Sequence, residues 1–124
     1  MKCANRILWT VAACGVVAAA LAGCLPAGTG SGAAAAEGPL LLEQYGCGSC
    51  HVIPGVRRAN GRIGPTLESF ARHAYIAGEI PNHPDVLVRW IQHPSALVPD
   101  TLMPDQAVRE EHARAMGAYL MKLR

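Results

Sequence analysis

The chain has 124 residues, carrying 11 Lys and Arg against 9 Asp and Glu, a length that suits one domain rather than two. The basic excess comes entirely from Lys2 and Arg6 near the start; the remaining chain balances nine bases against nine acids. That balance gives no electrostatic basis for nucleic-acid binding.

Residues 1–24 differ from the rest. Lys2 and Arg6 precede an apolar run from Ile7 to Leu21. At about fifteen residues it falls short of the roughly 20 that span a bilayer as a helix. Such a run fits the h-region of a secretory signal, with an uncleaved anchor as the alternative. The stretch Leu21-Ala22-Gly23-Cys24 resembles a bacterial lipobox. The resemblance implies a signal peptide over 1–23 and lipid modification of Cys24, which would hold the chain to a lipid bilayer; an ordinary signal with a chance cysteine is the plainer reading. With Cys3 and Cys14 leaving with the signal, only Cys47 and Cys50 stay free.

Residues 24–37 comprise Cys24 and LPAGTGSGAAAAE, which lacks apolar periodicity and reads as a flexible tether of roughly 20 Å r.m.s.. The folded domain is expected over 38–124, with four helices and no strand. The first starts at Pro39 and stops at Gly46. A second begins at Pro65 and carries TLESFARH. The third begins near Pro84, with Leu87, Trp90 and Ile91 on one face, and ends before Pro94. The last covers about 105–123, where Ala113, Met116, Gly117 and Leu120 form an apolar stripe. Gly117 inside that stripe is expected where the first helix crosses. Long connections at 52–64 and 95–104, together with few aromatic residues, suggest that a bound group supplies missing apolar volume.

YGCGSCH at 45–51 carries the chemistry. A structural zinc site takes about four ligands, and one Cys-x-x-Cys pair supplies two. A thioredoxin-like redox pair opens a helix after a strand, whereas this one closes a helix. Covalent haem attachment uses all three residues: Cys47 and Cys50 form thioethers with the two vinyl groups, and His51 ligates the iron. Haem c is therefore the expected cofactor.

Residues 38–124 resemble a monohaem class I cytochrome c. The likeness rests on Cys-x-x-Cys-His at the domain start, GPTL at 64–67, HPSALVPDTLMP at 93–104 and AYL at 118–120. It implies an all-α fold of about four helices wrapped around one haem, with Met103 as the distal iron ligand. Met103 sits in a loop with no amphipathic reason for a methionine, whereas Met116 lies on a core stripe and Met121 at the helix edge; His93 is the leading rival ligand. The resemblance further implies that Pro65 accepts the second ring N–H of His51. It places Arg72 and Thr101 near a haem propionate and Trp90 over the haem. The basic run RRANGR at 57–62 departs from the pattern and reads as a solvated loop or a docking aid.

The implied function is one-electron transfer without substrate turnover, by a monomer lipid-anchored on the extracytoplasmic face of a bacterial membrane. It would shuttle electrons between respiratory or photosynthetic complexes, such as a quinol-oxidising complex and a terminal oxidase. The alternatives are a fixed haem-c subunit of a larger oxidoreductase such as a terminal oxidase, and a haem sensor or peroxidase-like enzyme.

Overall fold

A computed structural model of the chain describes residues 30–124. The signal segment 1–23, Cys24 and the start of the tether lie outside the described residues. Among the described residues four α-helices follow one another: α1 (Gly30–Gln44), α2 (Pro84–Gln92), α3 (Pro94–Leu97) and α4 (Glu110–Leu120). Two 3₁₀ turns, Cys47–Ser49 and Phe70–Arg72, and two short strands, β1 (Tyr75–Ile76) and β2 (Ile80–Pro81), fill the space between α1 and α2.

The strands correct the all-α expectation. β1 and β2 pair antiparallel, with Ile76 opposite Ile80 and Tyr75 opposite Pro81. The reversal between them runs through Ala77 and Gly78 at φ 50° and 76°, values that match the twist of a hairpin. Two residues per strand are too few to show alternation in the sequence.

The expected helix over TLESFARH is only the 3₁₀ turn Phe70–Arg72. Thr66 Oγ1 accepts the Glu68 N–H at 3.2 Å, and Ser69 turns left-handed at φ 55°. A side chain that takes a backbone donor in this way competes with helix formation. At the other end of the molecule, helix reaches further than expected. α1 starts at Gly30, inside the segment read as a flexible tether, because four consecutive alanines are the strongest helix formers. Pro39 consequently stands within α1 rather than at its start, leaving the Ala35 carbonyl without its usual donor.

α1 and α4 pack across each other, and α2 packs on α4. The glycine at the α1–α4 contact is Gly38. A Cβ there would overlap Tyr119 Cβ and lie 2.9 Å from the Ala115 carbonyl oxygen. Gly117, expected at this crossing, instead faces α2: its nearest neighbours are Leu87 and Val88, with Leu87 Cδ2 at 3.5 Å. Leu42 of α1, Leu87 of α2 and Met116 of α4 are fully buried at the centre, each contributing roughly 1.5–3 kcal/mol of transfer free energy. No polar or charged residue is buried among the described residues.

Candidate functional site

The CGSCH segment follows directly on α1. Gly46, at φ 73°, breaks the helix and starts the 3₁₀ turn. The Cys47 carbonyl accepts the backbone N–H groups of both Cys50 (3.2 Å) and His51 (3.1 Å). One turn of backbone thereby gathers two thiols and an imidazole. Both thiols are free and half-buried. Burial pushes the Cys47 thiol above its usual range, partly offset by a backbone hydrogen bond, with Cys50 adding to the rise.

His51 is held by its other ring nitrogen. Nδ1 donates to the Pro65 carbonyl at 2.7 Å. A carbonyl can only accept, so the contact fixes the Nδ1–H tautomer and leaves the Nε2 lone pair free to bind a metal. Gly64 makes the approach possible. Its N–H donates to the Cys50 carbonyl at 2.8 Å, and a Cβ at this position would overlap the His51 ring. The Leu67 N–H donates to the Val52 carbonyl at 2.8 Å, so residues 64–67 lie strapped along residues 50–52.

Met103 lies in the stretch between two buried anchors, Val98 and Val108. It is half-buried and packs on the core, while its neighbour Leu102 is 92% exposed. The Met103 N–H donates to Thr101 Oγ1 at 3.2 Å. His93 is exposed and its Nδ1 donates to Asp105 Oδ2 at 2.9 Å, which occupies one nitrogen of the rival ligand. Met116 is fully buried in the core, and Met121 is half-buried beyond the end of α4.

The structure carries Cys47, Cys50 and His51 on one hydrogen-bonded backbone turn and seats His51 on Pro65, while Thr101 lies beside Met103. Trp90 is buried on the core face of α2. Arg72 is exposed on its 3₁₀ turn, and no carboxylate is in ion-pair range of it among the described residues. Of the basic run, Arg57 pairs with Glu43 at 3.2 Å, while Arg58 and Arg62 are exposed. Cys24 lies outside the described residues.

Three contacts that frame this region carry no local signal in the sequence. Tyr119 Oη donates to the Pro54 carbonyl at 2.6 Å, tying the loop after His51 to α4. Tyr45 Oη and His112 Nδ1 share a hydrogen bond of 2.9 Å, joining the end of α1 to α4. Asn82 Nδ2 donates to the carbonyls of Phe70 (3.1 Å) and His73 (3.0 Å). Its Oδ1 is buried and has no partner among the described residues, an acceptor left open beside the Phe70–Arg72 turn.

The donor set fits a haem c. Two free thiols three positions apart and an imidazole with a fixed tautomer are the groups that attach and ligate such a haem. Among the described residues no three His, Cys, Asp or Glu side chains cluster.

No family model matches the chain, and no solved structure matches it. Over 89 residues it is 32% identical to cytochrome c oxidase subunit 2 of Alkalihalophilus pseudofirmus. The match takes in 71% of this chain and 25% of that protein, so the chain spans about a quarter of its relative's length. No helix among the described residues is long and apolar enough to cross a membrane.

Proposed function

We propose that this chain is a haem-c electron-transfer domain that works as a fixed part of a terminal-oxidase complex, on the extracytoplasmic face and anchored through Cys24. The observation that carries the redox reading is His51: its Nδ1–H is committed to Pro65 O at 2.7 Å, which leaves Nε2 free for a metal, directly after two free thiols. The likeness to an oxidase subunit 2 supports the fixed-subunit reading over a free shuttle between a quinol-oxidising complex and an oxidase.

A bound haem would supply one-electron Fe(III)/Fe(II) chemistry. Cys47 and Cys50 would hold it covalently and His51 would be the proximal ligand. Met103 would be its thioether ligand, and thioether ligation favours ferrous iron and raises the potential. With His51 and Met103 both committed to the iron, no position would be left for a substrate, and the role would be electron transfer rather than turnover. Arg72 and Thr101 are the side chains offered to a propionate. Trp90 supplies apolar packing from α2.

Two measurements test this reading. The oxidised parent should show the weak near-infrared band of methionine-ligated ferric haem, and Met103→Ala should lack it; a parent without the band removes Met103 from the site. Extraction in mild detergent should bring the chain out together with oxidase subunits. Recovery as a free protein would favour the mobile-carrier role instead.

A further inference from the structure

The end of α2 grips the far end of the loop that presents Met103. Gln92 is the last residue of α2 and half-buried. Its Nε2 donates to the carbonyl of Val108 at 3.2 Å. His93 reaches the same stretch through Asp105 Oδ2 at 2.9 Å. The other Asp105 oxygen accepts the Ala107 N–H at 2.8 Å, and Ala107 takes a left-handed φ of 51°. A β-carbon residue is held in that conformation only when its surroundings over-determine it. Among the described residues the middle of the loop has only local hydrogen bonds: the Thr101 N–H donates to the Val98 carbonyl at 3.1 Å, the Met103 N–H to Thr101 Oγ1, and Leu102 projects into solvent.

We infer that Gln92 is a positioning residue that holds the 98–108 loop closed through Val108, with the His93–Asp105 pair as an outer brace, and so sets how readily Met103 leaves the iron. The inference rests on the Met103 ligation proposed above. Gln92 touches no reacting atom; it acts through the backbone of Val108, itself buried at 5% exposure. A half-buried donor to a buried carbonyl matters more than the exposed ion pair, which solvent screens. Local opening of such a loop competes with ligation, because an outside ligand binds only the open form.

The test is displacement of the methionine by added imidazole in the oxidised holoprotein, read as loss of the near-infrared band. Gln92→Leu removes the donor at similar volume. Gln92→Glu keeps the shape but sets a carboxylate against the carbonyl. Both should lower the half-saturating imidazole concentration about fivefold, the factor that matches one neutral hydrogen bond. Gln92→Lys keeps a donor within reach and should stay within about twofold of the parent. Amide hydrogen exchange should quicken at 98–108 in the Leu variant and stay as in the parent along α1 and α4. Half-saturation unchanged in both the Leu and Glu variants overturns the clamp while leaving Met103 in place. Exchange that quickens uniformly also overturns it, since Gln92 would then be merely structural. A parent without the band overturns the clamp together with the ligation it depends on.

Discussion

Exchanging alanine for glycine at two sites separates the two helix contacts of this fold. At Gly117 the new methyl would meet Leu87 Cδ2 at 3.5 Å, Leu87 Cγ at 3.7 Å and Val88 Cγ2 at 3.9 Å, all ordinary van der Waals contacts. The helix meanwhile loses a residue that costs about 1 kcal/mol against alanine. Gly117→Ala should therefore stabilise the protein by about 1 kcal/mol, or about 4–8 °C in Tm for a domain of this size. At Gly38 the same helix-propensity gain is available, but the methyl would overlap Tyr119 Cβ and lie 2.9 Å from the Ala115 carbonyl oxygen. Both atoms belong to the rigid frame of α4, and Tyr119 is further tied to Pro54. Overpacking of this kind costs about 1–3 kcal/mol, so Gly38→Ala should be destabilising, by up to about 2 kcal/mol once the propensity gain of about 1 kcal/mol is subtracted. Thermal and urea unfolding of the two variants, followed by far-ultraviolet circular dichroism, measures the difference. A stable Gly38→Ala with a destabilised Gly117→Ala would refute the packing described here and put the crossing at Gly117.

Three other outcomes follow from the same packing and contacts. Met116 is 0% exposed, so Met116→Ala should cost about 2–5 kcal/mol in urea unfolding; a loss below 1 kcal/mol, on the same scale, would mean that the α4 core is loosely packed. Gly64→Ala forces a methyl into the His51 ring, so it should lower the yield of haem-loaded, low-spin protein, while parent-like yield and spectrum would contradict the seat described for His51. The Glu111 carboxyl lies below its usual range, first through its own backbone N–H and then through Arg109. A depressed carboxyl stabilises above its ordinary pKa of about 4.3 and loses that contribution as pH falls through the lower folded value. The stability gap between parent and Glu111→Gln should accordingly narrow on acidification below about pH 4; a constant gap in urea midpoints would contradict the assignment.

What could be read from the sequence was local. Cys47, Cys50 and His51 lie within five consecutive residues, so one backbone turn carries all three. α2 is equally legible, because Leu87, Trp90 and Ile91 share a face between His83 and Pro94. Failures came where a side chain or a partner decides the backbone. Thr66 and Ser69 turned an apparent helix into a single 3₁₀ turn. Asp105, by taking the Ala107 N–H, delayed α4 to Glu110. The β1–β2 hairpin is too short to leave a pattern. Which glycine meets which helix is a tertiary fact, and the stripe around Gly117 looks the same whether α1 or α2 covers it. The Gln92–Val108 contact spans 16 positions, so no local motif announces it.

The most direct measurement is the intact mass of the chain purified from the membranes of a host that attaches haem to exported proteins. The expected mass is the processed polypeptide plus one haem, with the haem retained through acid–acetone extraction and absent from the Cys47→Ala/Cys50→Ala double variant. A polypeptide that carries no haem, or one whose haem is removed by the extraction, would contradict a haem-c electron-transfer domain.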